Sequence, residues 1–148
     1  VLLKLSDDQV VRYWEDIKDA IVAAVPPLAE SGIAHTTQLL ENILMGQLQV
    51  WILAESKGND LAVDTKGTVV TTVWKDIGTG ARSLLIYALW GYSFIEAPLW
   101  QDGLETLRKF ARAERCTKIV SYSKVPRIIQ IAEGLGANTE TRLITLEV

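Results

Sequence analysis

Apolar positions along this chain change period several times, and each change marks an element. Val10, Trp14, Ile17, Ile21 and Ala24 recur at helical spacing behind a short extended stretch, Val1–Leu5. Ser6 followed by Gln9 reads as a capping box, and Asp7 and Asp8 in the first turn favour the helix dipole. Pro26-Pro27 ends that helix, and Ala29–His35 reads as a loop around Gly32. Thr36 or Thr37 caps a second helix, with Leu39, Leu40, Ile43 and Leu44 on its inner face.

The period then drops to two. In Leu48–Glu55, Val50, Ile52 and Ala54 share one face and Trp51 and Leu53 the other. Both faces are apolar, which predicts a central strand covered on both sides. Ser56–Asp60 reads as a turn, Gly67–Lys75 as a strand, Asp76–Ala81 as a second hairpin and Ser83–Trp90 as the most apolar strand. A helix follows over roughly Leu99–Arg115, with Trp100, Leu104, Leu107 and Ala111 inward and Asp102 and Glu105 as a capping box near its start. Lys118–Tyr122 reads as a short strand, and Pro126 opens a helix that ends near Gly134. Arg142–Val148 alternates again, with Ile144, Leu146 and Val148 on one face, and predicts a final strand. The predicted order is β-α-α-β-β-β-α-β-α-β: one α/β domain over residues 1–148, a mixed central sheet with helices on both faces.

That order resembles the GNAT superfamily, the acyl-CoA N-acyltransferase fold. The second half carries most of the likeness: LRKFARAERCTKIV (Leu107–Val120) is similar to its third helix and fifth strand, and PRIIQIAEGLGA (Pro126–Ala137) to the next helix and its closing corner. The resemblance implies an N-acyltransferase moving an acetyl group from acetyl-CoA to a small-molecule or protein amine. It implies that the cofactor enters a gap between the fourth and fifth strands, beside Leu89, Trp90, Gly91 and Trp100, with its pyrophosphate on amides at the third helix start. The phosphate loop of the family is rich in glycine. Here the matching segment, IEAPLW (Ile95–Trp100), has none, and Pro98 has no N–H to donate. Glu96 adds a negative charge there, and Trp100 is bulky. The family's tyrosine acid falls at Ala132, or at Ile131 one residue away, and Leu84–Trp90 holds no carboxylate base. A WQDGL helix start with a degenerate loop is similar to divergent members encoded by bacteriophages. A second class therefore stays open: a non-catalytic GNAT-like protein acting in protein binding or assembly, including homo-oligomers.

Three residues are candidates for chemistry. Tyr122 and Ser123 follow the fifth strand beside the expected gap, where the Tyr122 phenol would stand in as proton donor. His35, the one histidine, is a candidate base; an exposed loop residue is the plainer reading. Trp90 and Trp100 either line the gap or plug it.

Composition narrows the field further. A net charge of -3 without a basic patch argues against a nucleic-acid partner. Arg108, Lys109, Arg112 and Arg115 form a modest cluster that reads as a solvated helix face. No apolar run is long enough to cross a bilayer, VLLKLSDD does not read as a signal peptide, and the single Cys116 fits a reducing, cytoplasmic setting. No residue cluster has metal-ligand spacing.

Overall fold

The computed structural model describes residues 1–30, 32–56 and 63–148. Its elements are β1 (Leu2–Lys4), α1 (Asp7–Ala23), a 3-10 turn (Gly32–His35), α2 (Thr36–Leu44), β2 (Gln49–Ser56), β3 (Val63–Lys75), β4 (Arg82–Gly91), α3 (Ala97–Ala113), β5 (Lys118–Ser121) and α4 (Pro126–Gly134). This is the expected order up to α4. Most of the turn expected over Ser56–Asp60 lies outside the described residues. No helix among the described residues is long and apolar enough to cross a membrane.

Three expectations are corrected. The N-cap of α2 is His35, not Thr36 or Thr37, which are helical residues. Arg142–Val148 forms no strand; Ile144 and Leu146 stand in solvent, and the alternating pattern finds no ladder to join. α3 begins at Ala97, with Glu96 at its N-cap, so Asp102 and Glu105 are interior residues and not its capping box. Pro98 is responsible for the earlier start, because proline is well tolerated in a first helical turn. At α1 the expected capping box is present: the Ser6 hydroxyl accepts from the Gln9 amide at 3.3 Å, and the Gln9 side chain accepts from the Ser6 amide at 2.9 Å.

The strands lie in the order β1-β2-β3-β4-β5. All neighbours are antiparallel except β4 and β5, which run parallel through Ser83↔Lys118 to Ile86↔Ser121. The sheet separates two cores. Val50, Val70 and Ala88 pack with Val10, Ile17, Ile21, Leu39 and Ile43 of α1 and α2. Trp51, Leu53, Val69 and Leu84 pack with Leu107 and Ala111 of α3 on the other face. The alternation of β2 thus sends its two apolar sets to opposite cores. Gly103 lets α3 approach closely, since a Cβ there would touch Leu53 Cδ1 at 3.4 Å.

One polar group is built into the α3-side core. Trp51 Nε1 donates to Thr71 Oγ1 at 2.9 Å, and the Thr71 hydroxyl donates to Gln49 Oε1 at 2.9 Å. The Trp51 ring meets Phe110 edge-on, with centroids 5.1 Å apart. Thr71 is fully buried, so its hydroxyl serves as a required acceptor. Thr71→Val keeps the shape but orphans the Trp51 N–H, and is expected to cost about 1–3 kcal/mol in urea denaturation.

Candidate functional site

The gap beside β4 originates in one residue. Val70 pairs with Ala88 but Thr71 pairs with Ile86, so Tyr87 is an extra residue in β4. A bulge shifts the alternation by one, and that shift is visible here. Leu84 and Ile86 face the α3-side core, Tyr87 and Ala88 both face the α1 side, and Leu89 returns to the α3 side. β5 pairs with β4 only up to Ile86. From Tyr87 to Gly91, β4 keeps β3 as a neighbour and has no β5 partner. Burial raises the Tyr87 pKa, so its phenol stays neutral and keeps its proton.

The expected cofactor residues Leu89, Trp90 and Gly91 occupy this overhang. Leu89 packs on the α3-side core and Trp90 is 41% exposed. Tyr122 and Ser123 follow directly on Ser121, which pairs with Ile86, so they sit where the two strands part. Tyr122 is half-buried. The Ser123 hydroxyl oxygen accepts from the Val125 amide at 3.2 Å and shapes the entry to α4. His35 lies elsewhere in the chain, exposed, with Nε2 3.1 Å from Glu30 Oε2; no described contact joins it to the overhang.

Between β4 and α3 the chain is held by apolar anchors. Gly67 and Gly91 are cross-strand partners, and buried Ile95 folds over both. A Cβ at either glycine would meet Ile95 Cδ1 at 3.6 Å, and at Gly67 it would also meet the Trp90 carbonyl oxygen at 2.8 Å. Trp100 Nε1 donates to the Ile95 carbonyl at 3.1 Å, and the indole packs against the α3-side core. Trp100 therefore fastens the loop from within. The Tyr92 amide donates to the Lys66 carbonyl at 2.9 Å, and the Tyr92 and Thr68 hydroxyls are 2.6 Å apart. Phe94, 66% exposed, carries the Arg127 guanidinium 4.7 Å from its ring centroid, a contact joining this loop to the first turn of α4. Sequence reasoning missed Gly67, Tyr87, Ile95 and Arg127. Only the lone glycine inside a Val/Thr-rich strand hinted at close approach there.

The start of α3 does not fit a diphosphate. A helix N-terminus attracts anions through free amides and the dipole. Here Leu99 and Trp100 both donate to the Glu96 carbonyl, at 3.1 and 3.2 Å, and Pro98 has no N–H, so Ala97 alone remains among the first helical amides. The Glu96 carboxylate already supplies negative charge at that end. A shallow groove of about 490 Å³ beside it is lined by Glu55, Lys66, Phe94, Glu96, Pro98, Leu99 and Asp102, with Val1 at its edge. Its cation is occupied: Lys66 Nζ lies 2.7 Å from Asp64 and 3.8 Å from Glu55. The hydrogen bond that Lys66 Nζ donates to the Asp64 carboxylate, with the nearby charges of Asp64, Glu55 and Glu96, raises the Lys66 pKa. Arg108 cannot supply the missing charge, because eleven residues of helix place it about 16 Å from Ala97. A larger groove of about 630 Å³, lined by Ser6, Asp7, Lys75, Arg82, Phe110 and Glu114 among others, shares none of the overhang residues. Among the described residues no group of three His, Cys, Asp or Glu could hold a metal.

This architecture has solved counterparts. An aminoglycoside N-acetyltransferase in complex with CoA superposes with a TM-score of 0.68 at 14% identity, covering 100% of this chain and 93% of that one. A predicted acetyltransferase with acetyl-CoA from Clostridium acetobutylicum gives 0.67 at 13% identity, covering 99% and 95%. Ribosomal-protein-alanine N-acetyltransferase from Brucella melitensis gives 0.65 at 11%, covering 100% and 99%. The chain therefore has the GNAT acetyltransferase fold along its whole length. No protein-family model and no curated protein sequence matches it. The expected likeness to bacteriophage proteins finds no support among the structures compared.

Two substitutions test the anchored loop. Gly67→Ala drives a methyl into the Trp90 carbonyl and is expected to lower stability by about 1–3 kcal/mol in thermal denaturation. Trp100→Phe keeps the packing but strips the donor from the Ile95 carbonyl. A loss of about 1 kcal/mol is expected, with a changed near-UV circular dichroism spectrum.

Proposed function

We propose that this protein is an N-acyltransferase that takes its acyl donor into the β4 overhang and grips little of the donor's diphosphate. The observation that carries this reading is the Tyr87 bulge with the unpaired β4 edge beyond Ile86. An exposed strand edge offers N–H and C=O groups to an extended, amide-bearing ligand arm, the interaction used whenever a peptide-like segment adds to a sheet. The likeness to enzymes solved with CoA and acetyl-CoA supports it. In this reading Leu89, Trp90 and Gly91 flank the acyl-bearing arm and Trp100 holds the loop that ends the slot. The Tyr122 phenol is the proton donor where the strands part. Ser123 shapes the turn beside it, and His35 is a base only if the acceptor amine reaches the α1–α2 connection. The acceptor is an amine on a small molecule or a protein.

A second reading has an observation of its own: the occupied, acidic start of α3 favours a GNAT-fold protein that has left acyl transfer for protein binding or assembly.

Thermal unfolding with acetyl-CoA and with S-acetyl-pantetheine, which lacks the diphosphate and nucleotide, separates the two. Both ligands are expected to stabilise the protein with similar affinity, each by about 2.7 kcal/mol at a hundredfold excess over Kd. Stabilisation by acetyl-CoA alone would refute the weak diphosphate grip. No shift with either ligand at millimolar concentration would refute acyl transfer and favour the second reading.

A further inference from the structure

The groove of about 630 Å³ lies where four connections meet, at the end of the sheet away from the β4 overhang. Its walls come from the β1–α1 link, the α2–β2 link, the base of the β3–β4 hairpin and the last turn of α3. Strand register sets its length. Lys4 is level with Trp51, and Trp51 with Val69, which precedes Lys75 by six residues of β3. Six strand residues span about 20 Å. Lys4 and Lys75 therefore reach the groove from opposite ends, with Phe110 beside the first and Val73 beside the second.

The chain is anionic overall, with a net charge of -3, yet this groove holds three cations, Lys4, Lys75 and Arg82, against Asp7 and Glu114. Arg82 is committed: its Nε donates to the Glu114 carbonyl at 2.9 Å, and its guanidinium lies 3.8 Å from the Glu114 carboxylate. The two lysines are not. Among the described residues no carboxylate lies within ion-pair distance of either. Lys4 Nζ instead sits 5.4 Å from the Phe110 ring centroid.

We propose that this groove docks an acidic segment of a partner protein in extended conformation. One carboxylate meets Lys4, another meets Lys75, and an apolar side chain lies between them over Phe110 and Val73. A segment of about six residues covers the span, which a small acid does not. The groove's own carboxylates, Asp7 and Glu114, favour a peptide over a nucleic acid. They accept from N–H groups, which a peptide backbone offers at nearly every residue, and they repel a backbone with a phosphate at every step. This proposal is independent of acyl transfer and holds for either reading of the function.

The test is fluorescence anisotropy of a fluorescein-labelled Glu-Glu-Leu-Leu-Glu-Glu peptide titrated with the full chain at low salt. Saturable binding that weakens as salt rises is expected. The Gln-Gln-Leu-Leu-Gln-Gln peptide is expected not to bind. Lys4→Glu and Lys75→Glu are each expected to raise Kd about tenfold. Lys124→Glu makes the same charge change outside the groove and is expected to leave Kd unchanged. All three lysines are exposed, so far-UV circular dichroism should be retained in each variant. Absence of binding overturns the proposal, as does equal binding of the neutral peptide or an equal loss in the Lys124→Glu variant. Displacement of the acidic peptide by millimolar glutarate would make this a small-acid site, and tighter binding of a labelled oligothymidylate would make it a nucleic-acid site. Either result also overturns the proposal.

Discussion

Everything that distinguishes this molecule's free β4 edge depends on one unpaired backbone position. The extra residue at Tyr87 cuts β4 into two lengths with different duties. Below it, Ser83–Ile86 is bound on both sides and belongs to the core. Above it, the strand is bound on one side and leads into the α3 connection. A regular strand would have turned Ala88 toward α3 and Leu89 toward α1, reversing the packing recorded for both. The bulge is thus a packing device as well as an opening. It costs a regular ladder position and gives the sheet a free edge that large apolar side chains still support from both faces.

What fills the end of that opening is set by sterics more than by charge. Loops that grip phosphate leave backbone amides bare by using residues without side chains. Here the two glycines, Gly67 and Gly91, lie underneath, and their missing side chains make room for Ile95. The loop is filled from the inside and Trp100 ties it down. The negative charge of Glu96 is then tolerated, because no anion has to share the helix start. The fold shared with acetyltransferases and the altered helix start are compatible: one concerns the sheet, the other a few side chains on top of it.

The legible part of this structure was the part governed by local period. The β2 pattern, with Val50 and Ile52 opposed to Trp51 and Leu53, was enough to call for two cores, and both are present. The α1 capping box could be read from Ser6 and Gln9 alone. The bulge could not, because YALW carries no glycine or proline to mark it, and its position is defined only against β3. The Ile95–Gly67 contact spans residues far apart in sequence, which periodicity does not address. RLITLEV was read as a final strand and forms none, because an alternating pattern does not supply its own partner. Among the candidate site residues, Trp90 lies on β4 and Tyr122 follows β5, both beyond the last β4–β5 pair, whereas His35 stays with Glu30.

The glycine pair beneath Ile95 also bears on how this loop could change over generations. A glycine at position 95 would bare an amide, but it would also leave a void over Gly67 and Gly91 and a Trp100 without its packed neighbour. Filling that void from below is blocked at Gly67 by the Trp90 carbonyl. Each single step toward a bare loop is therefore worse than its starting point, and the favourable combination needs several changes together. The apolar loop is in this sense self-locking. Descendants of this chain would more readily keep this apolar loop than acquire a glycine-lined one.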